Sequence, residues 1–101
     1  MSMTYKIEIA ESAYNDISET FYYYENISDN LGEKFYNDLL QQLHYLESNP
    51  NYYGFYKENF RRILLDKFPY LVIYKIVDDK VVLYAVVYGG IDPGTISKKI
   101  T

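Results

Sequence analysis

Apolar and polar residues alternate at the start of the chain. Tyr5, Ile7 and Ile9 are separated by Lys6 and Glu8, the period-two pattern of a half-buried strand. The period then lengthens. Ala10, Ala13, Ile17, Phe21 and Tyr24 step by three or four and predict a helix with one apolar stripe. Glu11 and Ser12 open it, where either side chain can meet free backbone N–H groups. Ser28-Asp29-Asn30 interrupts the stripe with three good N-cap types. Leu31, Phe35, Leu39, Leu43 and Leu46 then predict a second helix, ending at Asn49-Pro50-Asn51 because proline cannot continue the hydrogen-bond ladder. So short a connection makes the two helices antiparallel neighbours.

The stretch from Asn51 to Asn59, with Gly54 inside it, reads as a loop. Three strand-like runs follow: Phe60 to Leu65, Leu71 to Val77 (almost unbroken apolar) and Val81 to Tyr88. Asp78-Asp79 suits a tight turn between the last two, since Asp tolerates left-handed backbone geometry. Gly89-Gly90 stops the last strand, and the tail from Asp92 to Thr101 has the pattern of one weak helical turn. The order strand–helix–helix–three strands predicts a two-layer α+β domain spanning residues 1–101. Its helical hairpin would pack on one face of a mostly antiparallel four-stranded sheet. The sequence has no internal repeat.

Composition narrows the function classes. The 101 residues are 49% hydrophobic and 24% charged, ordinary globular values that argue against disorder. There are 14 Tyr against 5 Phe and no Trp, and tyrosine suits half-buried positions and binding faces. The absence of cysteine removes disulfides and thiolate chemistry. The first residues lack the apolar run of a signal peptide, and no stretch is long and apolar enough to cross a membrane, so a cytoplasmic protein is expected. Net charge is −4 but unevenly spread: through Asn59 three Lys stand against ten Asp/Glu, and from Phe60 onward seven Lys/Arg stand against four Asp. An acidic half joined to a basic half points to a polyanion or an acidic partner meeting the second half, or to ordinary solvated charge.

Candidate chemistry is sparse. His44 is the single histidine and has no second His or carboxylate at i+4, so neither a metal site nor a general base is expected there. Gly89-Gly90 lacks the spacing of a phosphate cradle, and no cofactor is expected. The carboxylate pairs Glu8/Glu11 and Asp78/Asp79 sit at a strand end and a turn, where acids are usually solvated. Arg61-Arg62 is more informative, because consecutive strand residues point to opposite faces. Lys67, Lys75 and Lys80 belong to the same sheet region, and Lys98-Lys99 to the tail. Together they read either as long cations shielding a sheet edge or as a basic groove across the open face.

The segment Arg61-Arg62-Ile63-Leu64-Leu65-Asp66-Lys67-Phe68-Pro69-Tyr70 resembles the arginine strand and Phe-Pro-Tyr turn of ParE-like proteins in the RelE/ParE toxin superfamily. The run from Leu71 to Ile76, a short acidic turn, and Val81 to Val87 resemble the hairpin that follows there. Lys34-Phe35 in the second helix and its Asn49-Pro50 end also fit. The resemblance implies the toxin of a type II toxin–antitoxin system (plasmid stabilisation proteins among them), neutralised by a cognate antitoxin and assembled as a homodimer or a heterotetramer with it. Tyr22, Tyr23 and Tyr36 would serve the antitoxin contact. Arg61, Arg62, Lys67, Asp92, Lys98 and Lys99 would form the target-binding surface.

Two branches diverge. RelE-type toxins cut mRNA on the ribosome with basic residues on the open sheet face and a tail Tyr or His. Here Leu71 and Ile91 stand where that branch has arginines, no Tyr or His follows Tyr88, and Arg62 alone matches. The resemblance therefore disfavours RNA cleavage, which needs a proton-moving group beside its cations. ParE-type toxins bind DNA gyrase. This chain keeps their Asp92-Pro93 but has Tyr88 and Ile91 where many relatives have His and Arg. Three alternatives stand: a gyrase-binding toxin, a ribosome-dependent nuclease, and a non-toxic member that binds only an antitoxin.

Overall fold

The computed structural model describes residues 4–90. Its elements are β1 (Lys6–Ile9), α1 (Glu11–Ile27), α2 (Leu31–Ser48), β2 (Phe55–Lys57), β3 (Phe60–Leu64), β4 (Tyr70–Val77) and β5 (Lys80–Tyr88). The α+β class and the helical hairpin on one sheet face are as expected. The sheet, however, has five strands, in the order β1-β5-β4-β3-β2. The added strand is β2, three residues inside the expected loop, paired antiparallel to β3 through an irregular register. A bulged strand this short carries no alternation for a sequence reading to detect. β1 runs parallel to β5 and the other pairs are antiparallel. None of the described helices is long and apolar enough to cross a membrane.

The unbroken apolar run of the central strand β4 follows from its place. Val72 and Tyr74 are buried under the helices, while Ile73 is equally buried on the opposite face. On the helix side, Ala13 and Ile17 of α1 and Phe35, Leu39, Leu43 and Leu46 of α2 pack on Ile63, Leu65, Val72, Val81, Leu83 and Val86. The Tyr74 hydroxyl donates to the Pro50 carbonyl at 2.8 Å, tying the end of α2 to the sheet. Burial pushes that phenol above its usual range, with the Arg61 charge acting in the opposite sense. The β4–β5 turn uses left-handed geometry at Asp78 (φ 56°), as the residue type predicts.

The helix starts differ from expectation. Neither Glu11 nor Ser12 caps α1; Ala10 holds the N-cap position with no side-chain cap. Asn30 is the N-cap of α2, but it too makes no side-chain cap. Instead the carboxylate of Glu25, in the last turn of α1, accepts from Glu33 N at 3.2 Å and Asn30 N at 3.4 Å. An acid at a helix N-terminus also meets the positive end of its dipole. This cap lies beside a close approach of the two helices. A β-carbon added to Gly32 would stand 2.5 Å from the Phe21 carbonyl oxygen. Gly32→Ala is therefore expected to force the helices apart and destabilise the fold by about 1–3 kcal/mol, despite the better helix propensity of alanine. A urea titration would read this as a lower midpoint with an unchanged slope.

Candidate functional site

α1 is anchored to the sheet beside an irregularity in β5. The β4–β5 register shifts between Ile73, paired with Ala85, and Tyr74, paired with Leu83, leaving Tyr84 as an extra residue. A bulge frees backbone groups that need other partners, and α1 supplies them. Ser12 Oγ donates to the Tyr84 carbonyl at 2.6 Å, and the Val86 N–H donates to Asp16 Oδ2 at 3.0 Å. Just before the helix, Ala10 N donates to the Leu83 carbonyl at 2.9 Å. This explains why polar Asp16 is buried on the core stripe, where Thr20 Oγ1 also turns inward to the Asp16 carbonyl at 2.8 Å.

With α1 locked in rotation, its three consecutive tyrosines diverge. Tyr24 is half-buried and packs edge-on to Phe68 and Tyr70. Tyr22, 65% exposed, lines a groove of about 240 Å³ along the helical hairpin with Tyr14, Ile17, Phe21 and Tyr36. Tyr23, 58% exposed, turns to the other side. There, with Glu19, Thr20, Tyr24, Tyr70 and Tyr88, it lines a cleft of about 660 Å³ between α1 and one end of the sheet. Thus Tyr22 and Tyr36 share a surface and Tyr23 belongs to a different one. In the cleft, burial raises the Tyr70 hydroxyl far above the usual phenol range. Its hydrogen bond with Tyr24 adds to this, and that with Thr20 opposes it.

The face away from the helices is partly apolar. Phe60, Ile73, Ala85 and Val87 are buried there beneath Tyr56, Leu71 and Tyr84. Lys75 Nζ lies 4.4 Å from the centre of the Phe60 ring and 5.9 Å from that of Tyr84, an attraction between cation and ring face.

The expected basic residues are spread over several surfaces. Arg62 pairs with Ile73 and is exposed on the open face. Arg61 pairs with Tyr74 on the helix side, where it donates to the carbonyls of Tyr53 at 2.6 Å and Asn51 at 3.3 Å. Its guanidinium also lies 3.9 Å from the Phe55 ring centre, so Arg61 fastens the 51–55 segment to β3. Lys67 stands in a turn held by Asp38, whose buried carboxylate accepts from the N–H groups of Asp66, Lys67 and Phe68 at 3.3, 2.9 and 2.9 Å. With Lys34, Asn37, Gln41 and Phe68 it rims a separate hollow. Lys80 pairs with Glu8 at 3.8 Å across the β1–β5 edge. Asp92, Lys98, Lys99 and the expected helical turn of the tail lie outside the described residues. Among the described residues no group of three or more His, Asp or Glu is placed to hold a metal ion.

Sequence reasoning missed the tyrosine cleft. Its one available signal was the pairing of Tyr70 with Tyr88 across the β4–β5 hairpin, which counting outward from Asp78-Asp79 misses by one residue because of the bulge.

The sequence matches no family model and no curated protein. Among solved structures it is similar to a chain of the chromosomal ParDE TA system from P. aeruginosa. The TM-score is 0.74 at 16% sequence identity, covering 84% of this chain and 96% of that one. At that identity the likeness is one of architecture: this chain has the fold of that ParDE-system chain.

Proposed function

We propose that this chain is the toxin of a toxin–antitoxin pair, of the ParE-like kind, working by presenting shaped surfaces to other macromolecules. The observation that carries the reading is the fold shared with a ParDE-system chain, together with the arginine strand and Phe-Pro-Tyr turn of Arg61 to Tyr70. The antitoxin docks on the outer groove of the helical hairpin, where Tyr14, Tyr22 and Tyr36 expose large amphipathic rings of the type enriched at interface cores. DNA gyrase is the proposed target, met by the sheet side that carries Arg62. Arg61, engaged with loop carbonyls, supports that surface from behind.

Expression of the chain without the neighbouring open reading frame should arrest growth with DNA damage and filamentation, and co-expression of that frame should restore growth. Replacing Tyr22 and Tyr36 together by alanine should weaken antitoxin binding by about 2 kcal/mol or more. Both rings are exposed, so stability should change by only about 0.5 kcal/mol per site. A second reading rests on one feature: Arg62 shares the open face with Lys75, Tyr56 and Tyr84, a basic and aromatic surface of the kind that binds single-stranded nucleic acid. Rapid mRNA loss abolished by Arg62→Ala, in place of DNA damage, would favour that reading and remove gyrase as the target.

A further inference from the structure

We infer that the tyrosine cleft between α1 and the paired ends of β4 and β5 is a receptor for a cationic side chain, an arginine presented by a segment of a partner protein. Four rings build its wall in edge-to-face sequence. Tyr23 meets Tyr24 at 5.1 Å between centres, Tyr24 meets Tyr70 at 6.1 Å, and Tyr70 meets Tyr88 at 6.1 Å. The outer two rings, Tyr23 and Tyr88, are both more than half exposed, so they have surface available to a ligand. The face of each ring is negative, and a cation is what it attracts.

Among the described residues the one charged side chain lining the cleft is acidic. Glu19 stands at its rim and also lines the recess that continues inward past Thr20, Tyr70 and Tyr88. Among the described residues no lysine or arginine lines either part. Nor does α1 supply one: it carries Glu11, Asp16, Glu19 and Glu25 and no cation from end to end. Elsewhere the fold fills its own ring faces, with Arg61 over Phe55 and Lys75 over Phe60. Among the described residues the cleft has the rings and the Glu19 carboxylate but no cation in its lining. Arginine fits better than lysine, since a planar guanidinium stacks on a ring while its N–H fork reaches a carboxylate.

The source of the arginine rests on the reading of the chain as one half of a protein pair, whereas the chemistry of the cleft does not. The test titrates the full chain with the peptide acetyl-Ala-Ala-Arg-Ala-Ala-amide and with its citrulline counterpart, which has nearly the same shape but no charge. Binding is followed by NMR at the Tyr23 and Tyr88 rings and the Thr20 amide. The arginine peptide should shift these resonances saturably, and either citrulline or Glu19→Gln should weaken binding about tenfold. Glu47→Gln, which removes the same charge from α2, should leave the affinity unchanged.

Equal binding of the citrulline peptide, absence of saturable shifts at the cleft, or equal loss with Glu47→Gln would each overturn the proposal. Partner docking can fail separately. If the product of the neighbouring frame binds wild type and Glu19→Gln equally well, the cleft has no part in docking although the pair is real. If the arginine peptide binds as expected and no such product binds, the cleft stands and the pairing falls.

Discussion

Replacing Asp38 by alanine is expected to destabilise the fold by about 3–5 kcal/mol, a loss reserved for buried groups that hold several partners. Asp38 is 3% exposed, and its carboxylate is the acceptor for three successive backbone N–H groups at Asp66, Lys67 and Phe68. Hydrogen bonds to a charged acceptor contribute roughly 1.5–3 kcal/mol each, and losing the acceptor leaves their donors to find water. Alanine would recover about 0.5 kcal/mol of helix propensity within α2, too little to offset this. At about 4–8 °C per kcal/mol for a domain of this size, the melting temperature should fall by roughly 15 °C or more. The neighbouring Asp66→Ala, whose side chain is exposed, should change stability by only about 0.5 kcal/mol. Circular dichroism melts of the two variants would separate the role of the Asp38 carboxylate from a general effect of removing acid. Loss of the turn should also disturb Tyr70, which lines the tyrosine cleft, and Phe68, which packs against Tyr24.

Phe35→Ala is expected to cost about as much, 3–5 kcal/mol, because deleting a fully buried ring removes its transfer energy and leaves a cavity. Phe35 has no exposure, and its ring is surrounded by Tyr24, Phe68 and Tyr70 with centres 5.5–6.1 Å away. It therefore joins both helices to the Phe-Pro-Tyr turn. Phe35→Leu, which fills most of the space, should cost less than half as much. Denaturant unfolding of the two variants measures the difference. Equal losses would mean that the aromatic packing, and not the buried volume, holds this corner.

The helices and three long strands were legible because periodicity is a local signal. Phe35, Leu39, Leu43 and Leu46 repeat at helical spacing and are all buried. Asp78 carries the left-handed turn that its type favours. The opposite orientations of Arg61 and Arg62 likewise follow from strand geometry alone. What escaped was set by groups far apart in sequence. Asp16 and Asp38 are polar residues at buried positions, and their reasons are the backbone N–H of Val86, two residues past the bulge in β5, and a turn at Asp66 to Phe68, which helix patterning cannot contain. Glu25 caps α2 from α1, while the three better cap types in the connection do not. The fifth strand is too short and too irregular to alternate.

The candidate surfaces were only half legible for the same reason. Tyrosine's abundance pointed to binding faces, but the assignment of Tyr22, Tyr23 and Tyr36 to one contact treated neighbours in sequence as neighbours in space. On a helix, successive residues diverge by about 100°, so Tyr22 and Tyr23 open onto different hollows. The basic set divides in the same way. Arg62 faces outward, Arg61 is tied to the carbonyls of Asn51 and Tyr53, and Lys67 sits in the turn held by Asp38.

The central claim is that the chain works by binding another protein through its exposed aromatic surfaces. Co-expression with the product of the neighbouring open reading frame, followed by size-exclusion chromatography with light scattering, tests it most directly. The account predicts a stoichiometric complex that forms with wild type and dissociates when Tyr22 and Tyr36 are both alanine, while the variant chain remains folded. Two species that elute separately, or a complex indifferent to both substitutions, would contradict it.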